Sequence, residues 1–147
     1  LGFAAMPYRG AYNASKFALE GLADTLRLEL SNTGIHVVLI EPGPILSRFR
    51  ANAAAQFRKY IIAENSVHRD AYAAMQARLD KAGPAAPFTL PPEAVLEATL
   101  HALNSSRPRA RYRVTTPTKL FALAKRLLST RLLDKLLLLG VRDERQR

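Results

Sequence analysis

Tyr12 and Lys16 lie four residues apart within PYRGAYNASKFALEGL, residues 7–22. The stretch reads as a helix, and residues at i and i+4 share a helix face, so the phenol and the ammonium can meet. A cation within a few ångströms favours a phenolate over a phenol, so such a pair is suited to moving a proton. By itself the spacing is weak evidence, because Tyr-x-x-x-Lys arises readily by chance as an idle surface pair. The elements that follow it in the chain decide whether it is half of an active site.

The pattern predicts a helix from about Gly10 to Asn32. Small residues at its start, Ala11, Ala14, Ser15 and Ala18, let another backbone come close, and Leu22, Leu26 and Leu30 read as a buried stripe. SNTG ends the helix, with Gly34 as its cap. IHVVLI, residues 35–40, is apolar on both faces except at His36, the pattern of a strand buried on both sides of a parallel sheet. EPGP, residues 41–44, then stops the strand. Helix, cap, buried strand and loop form one step of a doubly wound α/β fold. Ligands bind such sheets at the carboxyl ends of strands, which makes EPGPILSRF, residues 41–49, the natural ligand loop.

Residues 48–82 are polar and alanine-rich, with short helices expected, and AGPAAPFTLPP is a linker. Residues 91–103 read as a helix with proline in its first turn, residues 110–116 as a second strand, and residues 117–139 as a leucine-rich amphipathic segment. Two strands cannot cover the apolar faces of this many helices.

Composition is globular, at 48% hydrophobic and 23% charged residues in a chain of 147. The absence of cysteine excludes disulfides, thiolate zinc sites and a cysteine nucleophile, and fits a reducing, cytoplasmic setting. His36, His68 and His101 have no metal-ligand spacing, so no metal is expected. The net charge of +10 is uneven: residues 1–106 hold 10 basic and 9 acidic residues, and residues 107–147 hold 12 and 3. The basicity therefore belongs to the C-terminal quarter, and the pI does not argue for nucleic-acid binding.

YNASK followed by PGPILS, with Pro42 thirty residues after Tyr12, resembles the short-chain dehydrogenase/reductase family. That family carries Tyr-x-[Ala/Ser]-[Ser/Thr]-Lys and, about thirty residues on, Pro-Gly-x-[Val/Ile]-x-[Thr/Ser]. The likeness covers residues 1–116 well and residues 117–147 loosely. It implies the C-terminal portion of a doubly wound Rossmann-type parallel sheet, with residues 48–88 as the substrate loop and 117–147 as a basic helical extension and tail. It further implies an NAD(P)-dependent oxidoreductase that interconverts an alcohol and a ketone or aldehyde. Tyr12 would be the acid/base, and Lys16 would assist it and hold the cofactor ribose. Pro42 and Gly43 would let the chain pass close to the nicotinamide, while the Ile45 backbone and the Ser47 hydroxyl would hold its carboxamide. Asn13, Ser15 and Glu41 read as structural.

The family's glycine-rich phosphate loop, its catalytic serine, the residue choosing NAD or NADP and the N-terminal βαβ half have no counterpart in these 147 residues. The expectation is a fragment of a longer enzyme, inactive alone and with an unpaired sheet edge. Phe49, Phe57, Tyr60, Ile61, Ile62 and Tyr72 are candidate lining for a hydrophobic substrate of the hydroxysteroid or retinol dehydrogenase kind. The family resemblance implies a homo-oligomer through the tyrosine-bearing helix. The C-terminal segment is too interrupted by charge to span a membrane, and suits docking on the enzyme, on a partner subunit or on an anionic membrane surface. A non-catalytic regulatory relative and a basic membrane-peripheral interaction module are the alternative readings.

Overall fold

The computed structural model describes residues 2–84 and 86–140. Their elements are α1 (Gly10–Glu29), β1 (Leu39–Glu41), α2 (Phe49–Tyr60), α3 (Arg69–Asp80), α4 (Glu93–Asn104), β2 (Arg111–Arg113), α5 (Thr116–Leu127) and α6 (Thr130–Gly140). β1 and β2 pair in parallel, with Leu39 opposite Arg111, Ile40 opposite Tyr112 and Glu41 opposite Arg113. The crossover between them carries α2, α3 and α4, as a parallel connection requires. The result is a partial Rossmann-like α/β arrangement: helices around a small parallel sheet.

Three expectations from sequence need correction. The strand expected over residues 35–40 forms only at Leu39–Glu41, and Ile35 is exposed. A strand patterned for burial on both sides needs neighbours on both edges, and among the described residues β1 pairs with β2 alone. The stripe at Leu22, Leu26 and Leu30 is not buried: Leu22 is 56% exposed and Leu26 36%. Instead α1 turns inward the face bearing Asn13, Phe17, Glu20 and Asp24, spaced as one side of a helix. The small residues Ala11, Ala14, Ser15 and Ala18 are likewise exposed. Finally, the single amphipathic segment over 117–139 is two helices, broken where Leu128 takes an extended backbone (ψ 145°). Residues 141–147 of the expected tail lie outside the described residues.

The loop after β1 is sewn down on two sides. Parallel pairing continues past the strands, with the Val114 amide donating to the Glu41 carbonyl at 3.1 Å and the Thr115 amide to the Pro42 carbonyl at 3.2 Å. Farther on, Ile45 and Leu90 form a parallel bridge through Leu90 N–H to Pro44 O (3.1 Å) and Leu46 N–H to Leu90 O (2.9 Å). Between these ties sits Gly43, at φ +78°. A Cβ there would lie 2.1 Å from the Oγ1 atoms of both Thr115 and Thr118, which are buried and 2.9 Å from each other. Only glycine offers both the left-handed backbone and the missing side chain.

Charge fixes α1 against the sheet. The Arg111 guanidinium donates to Glu20 Oε2 at 3.1 Å and to both Asp24 carboxylate oxygens at 2.8 Å. The Arg111 Nε also lies 3.4 Å from Glu41 Oε1, and Arg113 donates to Glu41 Oε2 at 3.0 Å. Part-exposed pairs contribute little stability, so this cluster chiefly orients the helix. Tyr112, between the two arginines, is buried, and its hydroxyl meets His101 Nδ1 at 2.8 Å and accepts the Arg109 amide at 3.1 Å.

Gly43→Ala is expected to cost roughly 2–5 kcal/mol, from left-handed strain plus overpacking against the two threonine hydroxyls. Urea unfolding midpoints of variant and parent check this. Gly83→Ala, which meets no neighbour within 4 Å at φ +84°, carries the backbone strain alone and is expected to lose less.

Candidate active site

Tyr12 and Lys16 lie on the first two turns of α1. The Lys16 ammonium sits over the Tyr12 ring, 5.5 Å from its centroid. The Tyr12 side stays accessible, at 39% exposure. Next to Tyr12, the buried Asn13 donates through Nδ2 to the Met6 carbonyl at 2.8 Å, tying the preceding segment at Met6 to the helix start. Ser15 Oγ donates to the Tyr12 carbonyl at 2.8 Å, a bond within the helix. Asn13 and Ser15 thus serve the helix, as their sequence context implies.

The link between this pair and the strand-end loop is Phe49, the first residue of α2. Its ring packs on that of Tyr12 with centroids 6.0 Å apart and planes tilted by 54°. Phe49 follows Ser47 by two residues, so the contact draws the end of PGPILS to the tyrosine. Within the loop, the Ile45–Leu90 bridge uses the Pro44 carbonyl and the Leu46 amide, which leaves the peptide groups of Ile45 itself outside that pairing. The Ser47 hydroxyl accepts the Phe49 amide at 3.4 Å, a weak turn at the entrance to α2. Pro42 and Gly43 form the bend above the Thr115–Thr118 pair.

The six residues singled out from sequence thus fall into two groups, Tyr12 with Lys16, and Pro42, Gly43, Ile45 and Ser47, joined through Phe49. Of the candidate substrate lining, Phe57 and Tyr72 stack edge to face at 5.8 Å between α2 and α3, whereas Tyr60 and Ile62 are exposed. Sequence reading missed Thr115 and Thr118. Their only signal is TTPTK, where Pro117 at a helix start places the two threonines one turn apart.

A cleft of about 300 Å³, which none of the six site residues lines, is bounded by Phe17, Glu20, Asp24, Glu41, Arg111 and Lys125, among others. Burial pushes the Glu41 carboxyl above its ordinary range, against the opposing pull of Arg113. Arg111, hydrogen-bonded to Asp24, holds the Asp24 carboxyl below its ordinary range, with Arg27 adding to the effect. Glu41 is paired with Arg111 and Arg113.

The model of the family described as short chain dehydrogenase matches residues 1–57. The chain is 43% identical over 137 residues to the uncharacterized oxidoreductase YbbO of Escherichia coli, covering 93% of this chain and 45% of that protein. It is 36% identical over 136 residues to the NADPH-dependent 3-dehydrocapnine reductase of Ornithobacterium rhinotracheale, covering 92% and 46%. It is also 33% identical over 137 residues to mouse retinol dehydrogenase 16, covering 88% and 43%. The chain belongs to the short-chain dehydrogenase/reductase family. It spans a little under half the length of these relatives. Family members use NAD or NADP.

The two displaced carboxyls give opposite pH signatures. A raised Glu41 favours the fold at low pH, and its contribution is lost as pH rises from about 4.5 through the folded value. The lowered Asp24 favours the fold above 3.8, and its contribution is lost as pH falls through the folded value. In urea titrations from acid to neutral pH, the parent's advantage over Glu41→Gln should therefore shrink with rising pH. Its advantage over Asp24→Asn should shrink with falling pH.

Proposed function

We propose that the protein carrying this chain is an NAD(P)-dependent oxidoreductase that interconverts a hydrophobic alcohol and its ketone or aldehyde. Tyr12 is the acid/base, and Lys16 supports it. The observation that carries this reading is the Tyr12–Lys16 contact, held by Phe49 at the end of the loop that leaves β1. The donors there suit the nicotinamide end of the cofactor: a lysine ammonium, the unused peptide groups of Ile45 and the Ser47 hydroxyl. Lys16 would bind the ribose, and Ile45 and Ser47 the carboxamide, with Pro42 and Gly43 shaping the approach. A nicotinamide bound there supplies or accepts the hydride at the substrate carbon.

In the reducing direction the Tyr12 hydroxyl gives its proton to the carbonyl oxygen as that oxygen takes up charge, yielding the alcohol. In the oxidising direction the tyrosinate removes the alcohol proton. In either direction Lys16 stands beside Tyr12, its ammonium 5.5 Å from the ring centroid. The exposed ring of Phe49, packed on that of Tyr12, gives an apolar approach to the tyrosine and favours a hydrophobic substrate. The outward Leu19, Leu22 and Leu26 support a homo-oligomer through α1.

Tyr12→Phe in the whole protein is expected to lower kcat by about 10²–10⁴, the usual weight of general acid/base catalysis, while cofactor binding persists. Steady-state turnover alongside cofactor fluorescence titration tests this, and unchanged turnover would reject the reading. Residues 1–147 contain no Gly-x-x-x-Gly-x-Gly phosphate loop. Expressed alone, they are expected to show neither ketone reduction nor tight NAD(P) binding, and either activity would overturn that expectation.

A further inference from the structure

α5 and α6 turn their leucines away from the body. On α5, Leu120, Leu123 and Leu127 follow the i, i+3, i+7 spacing of one helix face and are 61%, 54% and 70% exposed. The opposite side of α5 makes the tertiary contacts. There Thr118 is buried against Thr115 and Gly43, and the Lys125 ammonium lies 4.9 Å from the centroid of the Phe17 ring. On α6, Leu132, Leu136 and Leu139 form a second stripe at i, i+4, i+7 and are exposed, while Leu137 is buried.

Charge distinguishes these stripes from the other exposed leucines. On α4, Leu96, Leu100 and Leu103 also face outward, but that helix carries Glu93 and Glu97 and no lysine or arginine. The outward leucines of α1 share their helix with both signs of charge, Lys16 and Arg27 against Glu20, Asp24 and Glu29. On α5 and α6, Lys119, Arg126, Arg131 and Lys135 accompany the stripes, against the single acid Asp134, while Lys125 is turned to Phe17 on the other side of α5. By helical position, Lys119 and Arg126 border the α5 stripe, and Lys135 borders the α6 stripe. Among the described residues no helix is long and apolar enough to cross a membrane. Apolar faces edged with cations on short helices suit the plane of an anionic bilayer: leucines enter the acyl boundary, and the long cationic side chains reach up to the headgroup phosphates.

We infer that the outward faces of α5 and α6 dock the protein on an anionic lipid bilayer. The inference is independent of the redox reading, since no residue of the Tyr12 site takes part.

The test is flotation of the whole protein with phosphatidylcholine vesicles, with and without about one-third phosphatidylglycerol. Binding is expected to be at least about tenfold stronger to the anionic vesicles and to weaken as salt rises. Leu123→Glu with Leu136→Glu is expected to abolish binding, with circular dichroism and Tm measured alongside to show that the fold is kept. Lys119→Glu with Lys135→Glu is expected to remove the preference for anionic lipid. Leu103→Glu on the acidic α4 is expected to leave binding as it was. Absent or equal binding to the two vesicle types overturns the inference. So does undiminished binding by the double leucine variant, or a change in its oligomeric state without lipid, which would assign the face to a second copy.

Discussion

The structure turns on one close approach. Gly43 lies against the hydroxyls of Thr115 and Thr118 so tightly that a methyl group would occupy the same space. That contact joins the loop leaving β1 to the start of α5, and the parallel pairing of residues 39–42 with 110–115 extends up to it. Everything proposed for the loop depends on it. The bend at Gly43 sends Pro44 and Leu46 to Leu90, and the next turn delivers Phe49 to Tyr12. The two buried threonine hydroxyls, 2.9 Å apart, share one hydrogen bond beneath the bend.

The polar character of this interior extends to α1. A helix that sets Glu20 and Asp24 toward the sheet inverts the usual arrangement of an amphipathic helix. Arg111 makes it workable, because one planar guanidinium can satisfy two carboxylates at once with fixed geometry. The gain is orientation more than stability. With α1 rotated this way, Tyr12 and Lys16 come to the edge that faces Phe49, and the leucines are left outward.

Much of the architecture was legible in the chain. The order of helices and strands follows from periodicity and from Pro and Gly punctuation, and the candidate site from two short motifs thirty residues apart. What misled was the assumption that an apolar stripe is a buried stripe. Leu22 and Leu26 on α1 have helical spacing, yet both are exposed. Periodicity reports that a helix has two unlike faces and says nothing about which face the rest of the chain will meet.

Sequence by itself determined that Tyr12 and Lys16 share a helix face, that a strand ends at Pro42, and that basic charge gathers after residue 106. These are local properties, fixed by covalent order and backbone geometry. Only the tertiary structure decided that Phe49 bridges the pair to the loop, that Thr115 and Thr118 fill the place of a side chain at Gly43, and that Arg111 rotates α1. Each of these joins residues far apart in the chain, and their meeting depends on how strands register and helices turn, which local spacing does not encode.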